Sequence, residues 1–343
     1  MAPEAADPSA PAYRAAGVDL AAADRFKGRL KALVEGTHGP EVLGGLGGFG
    51  GAFAIGALEE RDPVLVATTD GVGTKVLIAQ RAGRHDTIGR DLVHHCIDDL
   101  LASFARPLFL LDYVAMGRLE EGVALSIVAG LARACRDAGV ALVGGETAEM
   151  PDLYEPGEYD LAAFAIGVTP RARLARAAIE PGDVVLGLSS SGLHTNGYTL
   201  ARRIVFEIAG AELDDAVPWG EGRWSDALLA VHRSYLREVG PLLDDPALHA
   251  LAHVTGGGLV GNLPRALPTG LGARIDRSAW SVPALFRWLA DTGRIADEEM
   301  LRVFNMGIGF CLVVDPAARE RIARATGAIA IGHIEEGHGV EWA

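Results

Sequence analysis

An α+β or mixed α/β chain of two domains is what the sequence predicts, on three observations. Its 343 residues amount to about two domains of ~150 residues each. Short apolar runs alternate with helical periodicities in both halves, and several runs are joined by short links, which disfavours a purely parallel sheet. Four glycine-rich polar segments stand at strand-to-helix junctions. With 49% apolar and 22% charged residues, each half has enough hydrophobic material for a core.

The elements follow in order. The Ala/Pro-rich residues 1–15 read as a disordered tail ahead of a first domain, 16–170. Leu20 to Val34 has helical periodicity and stops at Thr37-His38-Gly39-Pro40. Gly44-Gly45-Leu46-Gly47-Gly48-Phe49-Gly50-Gly51 places six glycines in eight positions. That is a loop, because each glycine costs about 1 kcal/mol relative to alanine inside a helix; a strand is expected beside it at Ala52 to Leu58. Val64 to Thr69 is a strand that stops at Asp70-Gly71-Val72-Gly73-Thr74-Lys75 and feeds a helix. A long helix is expected from Asp86 to Ala105, closed by Pro107. Then come a strand at Leu108 to Ala115, a helix at Glu120 to Ala138, a strand at Val140 to Val143 ending in a Gly144-Gly145-Glu146-Thr147 turn, and a strand at Tyr159 to Val168.

Thr169-Pro170 and the basic stretch Arg171 to Arg176 mark the boundary with a second domain, 171–343. A strand at Asp183 to Leu188 enters Ser189-Ser190-Ser191-Gly192-Leu193-His194-Thr195-Asn196-Gly197, and helices are expected at Tyr198 to Ala209 and Ala227 to Leu243. His253-Val254-Thr255-Gly256-Gly257-Gly258 is a strand end running into glycines and a helix. Later strands fall at Ala273 to Ile275, Gly309 to Val314 and Ala328 to Ile334. Helices fall at Val282 to Asp291, Asp297 to Phe304 and Pro316 to Ala325.

The net charge of −14 argues against nucleic acid or an anionic membrane as the main partner, since both call for a basic surface. Cys96, Cys135 and Cys311 form no CxxC, so neither a disulfide framework nor a structural zinc site is expected. No signal-like segment and no uninterrupted run of about 18 apolar residues is seen, which predicts a soluble, cytoplasmic protein.

Glycine-rich loops at 44–51 and 70–75 can bring backbone N–H groups to phosphate oxygens, though each is also compatible with an ordinary turn. GVGTK is not a Walker A loop, and no GxGxxG fingerprint is read as following a strand with the spacing a dinucleotide site requires. Asp70, Asp91, Asp98, Asp99, Glu146, Glu149 and Asp160 are candidate Mg²⁺ ligands, with Asp70 and Glu146 favoured because each directly follows an apolar strand. Asp91, His95 and Asp99, or Asp91, His94 and Asp98, share a helix face. With no further His or Cys cluster in the sequence to complete a tetrahedral set, that face reads as a polar helix surface rather than a transition-metal site. Ser189 to Gly197 is not a GxSxG elbow and reads as an anion-binding loop.

Taken together, PEVLGGLGGFGGAF (40–53), TTDGVGTK (68–75), HDTIGRDLV (85–93), PLFLLDY (107–113), LVGGETAEMPDLYEPGEYDLAAFAIGV (142–168), SSGLHTNGY (190–198), HVTGGGLVGNLPRALP (253–268) and FNMGIGF (304–310) resemble the phosphoribosylformylglycinamidine cyclo-ligase (aminoimidazole ribonucleotide synthetase) family, from about Tyr13 to Ile334. The resemblance implies two α+β domains, with N-terminal strands forming a barrel at a homodimer interface and the active site in the cleft between domains. It implies ATP-dependent ring closure of formylglycinamidine ribonucleotide in purine biosynthesis, by phosphorylation of an amide oxygen. It assigns Mg²⁺ to Asp70, Asp99 and Glu146. ATP and its phosphates fall to Gly47, Gly48, Phe49, Gly50, Thr69, Gly71, Gly73, Thr74 and Lys75. Substrate falls to Ser190, Ser191, His194, Asn196 and the Thr255-Gly256-Gly257-Gly258 cradle, with Asp70, Lys75 and His194 as catalytic residues.

The chain departs from the family pattern in places. His94-His95-Cys96-Ile97-Asp98-Asp99 stands where AMCVND is usual, Phe104-Ala105-Arg106-Pro107 where a GAEP-like turn is usual, Leu228 to Tyr235 where LLxPTxIY is usual, and Gly39 where arginine is usual. Selenophosphate synthetase, thiamine monophosphate kinase and a hydrogenase maturation protein share the layout but not the key residues: the earliest cysteine here is Cys96, no cysteine closes the sequence, and TTDGVGTK is not a DD-type motif. A non-catalytic or altered-substrate ATP-binding paralogue is the competing reading.

Overall fold

The computed structural model describes residues 20–174 and 179–343; the expected tail at 1–15 and the last residues of the basic boundary stretch lie outside them. The first half is built on a four-stranded mixed sheet in the order β3-β6-β4-β5, from β3 (Pro63–Gly71), β4 (Arg106–Met116), β5 (Ala141–Glu149) and β6 (Tyr159–Pro170). β6 runs antiparallel to both its neighbours, while β4 and β5 are parallel, joined by a crossover helix as parallel pairing requires. A two-residue ladder, β1 (Val42–Leu43) with β2 (Ala52–Phe53), closes the base of the glycine-rich loop.

The helices α1 (Leu20–Glu35), α2 (Val76–Ala82), α3 (Asp86–Ala102) and α4 (Glu121–Ala138) belong to this half. α3 and α4 touch through Gly89 and Gly130, where an added Cβ would collide with the other helix's backbone. The two helices therefore approach closely over the sheet face that carries Leu161, Ala163 and Ala165, all buried. The other face is open: Leu65 is 54% and Phe164 51% exposed.

The second half is a six-stranded sheet in the order β12-β9-β11-β7-β10-β8: β7 (Val184–Ser189), β8 (Leu248–His253), β9 (Leu271–Ile275), β10 (Ile308–Val314), β11 (Ile329–Glu336) and β12 (Gly339–Trp342). All its ladders are antiparallel except β12 with β9. Neither sheet closes among the described residues, so the architecture is mixed α/β in two open sheets. α3 packs against β3 and β6 on one side and β8 on the other, and Leu92 and Ile97 share a core with Leu193, Tyr235 and Phe310.

Three expectations need correction. The strand at 52–58 is only Ala52–Phe53. β5 does not turn at Gly144 but continues to Glu149, because its parallel register with Leu111 to Met116 of β4 carries the GGET segment along. The helix expected at 227–243 breaks into Trp224–Leu228, Leu236–Val239 and a 3₁₀ turn at Gly240–Leu242. Between the first two, backbone groups are captured by buried side chains instead of by helical partners. His232 N donates to Asp91 Oδ1 (2.7 Å), Tyr235 N donates to Asp98 Oδ1 (2.8 Å), and Ala230 O accepts from Lys75 Nζ (2.7 Å). The 198–209 helix is α-helical to Arg202 and π-helical from Arg203 to Ile208.

Candidate active site

The polar stripe of α3 does not face solvent, because the second half lies on it. Asp91 and Asp98 are fully buried and His95 is 3% exposed. His95 Nε2 lies 2.8 Å from Asp70 Oδ2, at the end of β3, and 4.0 Å from Asp99 Oδ2. Its Nδ1 lies 2.7 Å from Thr195 Oγ1. His253, the last residue of β8, places Nδ1 2.9 Å from Asp99 Oδ1 and Nε2 3.2 Å from His232 Nε2. His232 stacks on His194, with centroids 4.0 Å apart, and its Nε2 is 3.4 Å from Asp98 Oδ2.

Burial sets the electrostatics of this network, and the ion pairs modify it. It drives His194 and His232 well below the ordinary histidine pKa, helped by neighbouring histidines, and it lowers His253 against the pull of Asp99. His95 is the exception: burial opposes its charge, but contact with Asp70 and the charges of Asp70 and Asp99 hold it above the ordinary value. Asp70 and Asp99 stay below the usual carboxylate range, because their histidine partners outweigh burial. Asp98 is pushed well up by burial, only partly offset by the Tyr235 N–H.

The Ser189–Gly197 segment leaves β7 as a loop held from three sides. His194 adopts φ +63°, uncommon for a non-glycine residue, and its Nε2 accepts from Ser191 N at 3.2 Å. Ser190 Oγ donates to Asn305 Oδ1 (2.8 Å), while Asn305 Nδ2 donates to Gly192 O (2.8 Å). Ser191 Oγ donates to Val231 O at 2.7 Å. The 255–258 cradle is shaped by Asn262, whose Nδ2 donates to Gly258 O (2.8 Å), and whose Oδ1 accepts from Thr255 Oγ1 (3.2 Å). Gly256 lies against Asn196, where an added Cβ would stand 3.1 Å from Asn196 Oδ1, so the two loops meet.

Lys75 is not directed at a phosphate loop. It is fully buried, 2.8 Å from Asp91 Oδ2, and donates to His194 O (3.1 Å) and Ala230 O (2.7 Å). Burial pulls its pKa down and pushes Asp91 up, and their contact opposes both shifts. The side chain thus ties the end of β3 to the His194 loop. Thr74 makes a second such tie, its Oγ1 3.2 Å from Thr199 Oγ1. Gly73, Thr74 and Lys75 form a 3₁₀ turn, with Thr69 and Gly71 closing β3 before it.

A separate cleft of about 1170 Å³ is lined by residues 45–51, α1, β4 and β5. Gly47, Gly48, Phe49 and Gly50 are on its rim, with Phe49 fully exposed, and Glu146 is in its wall. Asp112 lies on its floor, with its pKa pushed to about 7 by burial. The expected three-carboxylate metal set is therefore not gathered. Asp70 registers with Ala163, Ala163 with Asp112 and Asp112 with Gly145, leaving Glu146 three strands away on the opposite face, about 14 Å at ~4.8 Å per strand.

Sequence reasoning found Asp70, Asp99, His194, Asn196 and the 255–258 loop, all of which come to this interface. It missed His232, and it read the α3 face as solvated for want of further histidines. Those histidines are His194, His232 and His253, from three distant segments. Two segments that depart from the family pattern, 94–99 and 228–235, supply His95, Asp98 and His232 and meet here. That meeting is the one signal that could have paired them.

Comparisons with known proteins agree along the chain. The N-terminal domain of the AIR synthase related proteins matches residues 52–169 and the C-terminal domain residues 180–342. Phosphoribosylformylglycinamidine cyclo-ligases of Xanthomonas oryzae pv. oryzae (strain PXO99A) and Xanthomonas campestris pv. campestris (strain B100) are each 49% identical over 324 residues, 94% of this chain and 94% of theirs. Two solved structures share the fold. Thiamine-monophosphate kinase from Stenotrophomonas maltophilia has a TM-score of 0.63 at 20% identity, covering 95% of this chain and 96% of that one. The hydrogenase maturation protein HypE in complex with ATP has a TM-score of 0.65 at 18% identity, covering 94% and 91%. With both domains matched and near-complete coverage by cyclo-ligases, this chain belongs to the AIR synthase related family.

Proposed function

We propose that this chain is an ATP-dependent cyclo-ligase of purine biosynthesis that closes formylglycinamidine ribonucleotide to aminoimidazole ribonucleotide, releasing ADP and phosphate. The observation that carries this reading is the match to cyclo-ligases along both halves. In the reaction, the amide oxygen attacks the γ-phosphorus and ADP leaves. The amidine-side nitrogen then attacks the activated carbon, the ring closes, and the C–O bond breaks to release phosphate. An amide oxygen is a poor leaving group until it is phosphorylated, so the protein's work is positioning and charge neutralisation.

The Asp70–Lys75 turn, beside the substrate loop, takes the phosphates of ATP, its backbone amides facing them. The Ser190–Asn196 loop and the 255–258 cradle take the phosphorylated substrate. His194, neutral by burial, can move a proton as the ring nitrogen attacks. Lys75 serves as a positioning residue for that loop, in place of the phosphate contact first expected. The family implies Mg²⁺, and Asp70 and Asp99 fit it in kind, being part-exposed carboxylates 2.8 and 4.0 Å from His95 Nε2. When bound with ATP, Mg²⁺ neutralises charge on the transferring phosphoryl group. Glu146 faces the separate cleft and does not join Asp70 and Asp99.

The open apolar face with Leu65, Phe164 and Ile166 would pair with its counterpart in a second copy, making a homodimer with a barrel between the two sheets. We place the protein in the cytoplasm, consistent with three free, buried cysteines and with no described helix long and apolar enough to cross a membrane. The test is a coupled assay for ADP. Release that depends on formylglycinamidine ribonucleotide is expected, whereas ATP binding without such release would leave only an ATP-binding paralogue.

A further inference from the structure

Beside Asp70, three side chains from two elements, His95 and Asp99 of α3 and His253 of β8, bring ligand atoms within 4.8 Å of one another. His95 Nε2 stands 2.8 Å from Asp70 Oδ2 and 4.0 Å from Asp99 Oδ2, and His253 Nδ1 stands 2.9 Å from Asp99 Oδ1. Around a six-coordinate ion with ~2.1 Å bonds, adjacent ligands lie about 3.0 Å apart and opposite ones about 4.2 Å. The separations of His253 and His95 from the Asp99 oxygens, 2.9 and 4.0 Å, lie in that range.

The rings are also held as ligating rings are. A metal-bound imidazole characteristically donates its other N–H to a fixed acceptor, which sets its tautomer. His95 Nδ1 lies 2.7 Å from Thr195 Oγ1, and His253 Nε2 lies 3.2 Å from His232 Nε2. In the tautomers with those N–H groups engaged, His95 Nε2 and His253 Nδ1 offer lone pairs to a cation beside the Asp99 carboxylate. His95 Nε2 is buried and makes no well-directed hydrogen bond, despite its closeness to Asp70. Asp70 and Asp99 are 43% and 28% exposed, which leaves a path for an ion to enter.

We propose that His95, Asp99 and His253 form a site for a six-coordinate divalent transition ion of the Mn²⁺-to-Co²⁺ series, bound without nucleotide. The proposal rests on the reading of Asp99 as a cation ligand and adds two imidazoles to it. Imidazole raises affinity along that series, whereas Mg²⁺ favours an all-oxygen shell. The three remaining positions stay open to water or to a phosphate oxygen.

The test is Co²⁺ titration of the full-length, nucleotide-free protein by equilibrium dialysis, with Mg²⁺ as competitor. One Co²⁺ per chain is expected, resistant to an equal concentration of Mg²⁺. His95→Gln and His253→Gln should each weaken binding about 100-fold, while His333→Gln, on an exposed ring of β11, should leave it unchanged. Should the two site variants fail to fold, cobalt-edge X-ray absorption of the unaltered protein decides: scattering from two imidazoles is expected. Absence of Co²⁺ binding (a proton only between these groups), binding insensitive to both substitutions, or an all-oxygen shell would each overturn the proposal. ADP release with Mg-ATP in the same preparation separates the two readings. Turnover without Co²⁺ binding removes only the transition-ion site, and Co²⁺ binding without turnover removes only the cyclo-ligase.

Discussion

At the scale of single residues, the site is governed by which polar groups the fold removes from water. Lys75 sits in a family motif, so its importance was legible, but the motif gives no direction to its side chain. Only the packing of α3 against the second half shows all its donors engaged by Asp91, His194 O and Ala230 O. Removing one partner of such a buried pair strands the other, at a cost of about 3–5 kcal/mol. Lys75→Met should therefore lower unfolding free energy by that amount in urea denaturation at pH 7, and a loss below about 1 kcal/mol, the range of a surface pair, would contradict the role. Asp70 and His194 were legible because each lies in a marked strand-to-loop junction. His232 was not: a lone histidine in Ala230-Val231-His232-Arg233 has no local pattern, and its neighbours are set by tertiary register.

At the scale of elements, most strands and long helices were legible from their apolar content, because β6, α3 and α4 each bury a regular face, β3 half-buries alternate residues and β10 is buried throughout. Failures occurred where backbone partners came from elsewhere. The 227–243 segment has helical periodicity, yet Asp91 and Asp98 capture the N–H groups of His232 and Tyr235 and hold it open. β5 continued through two glycines because a parallel partner was available. The four-stranded sheet shows the converse: alternation along Tyr159–Pro170 is clear, but both sets of alternate residues are largely apolar. Helices cover one face and leave Leu65 and Phe164 exposed on the other. Phe164→Lys would put like charges opposite one another in a dimer formed by that face. Sedimentation should shift from dimer to monomer with the circular dichroism unchanged, and a dimer that persists would remove this face as the interface.

At the scale of the whole molecule, the acidic, glycine-rich composition becomes intelligible. The net charge of −14 repels phosphorylated ligands at long range, so the proposed function requires local potential, which loop amides and the proposed cation beside Asp70 and Asp99 would supply. Neither half carries the site alone: α3 and the end of β3 supply Asp70, His95 and Asp99, while the second half supplies His194, His232 and His253. This division explains why the sequence yielded the parts more readily than their arrangement. The central claim is that these parts serve phosphoryl transfer to the substrate's amide oxygen, followed by ring closure. It is tested most directly by running the reaction with formylglycinamidine ribonucleotide carrying ¹⁸O in its amide carbonyl and analysing the phosphate by mass spectrometry. One ¹⁸O transferred to phosphate per ring closed is the predicted result, and phosphate free of the label while the ring closes would contradict it.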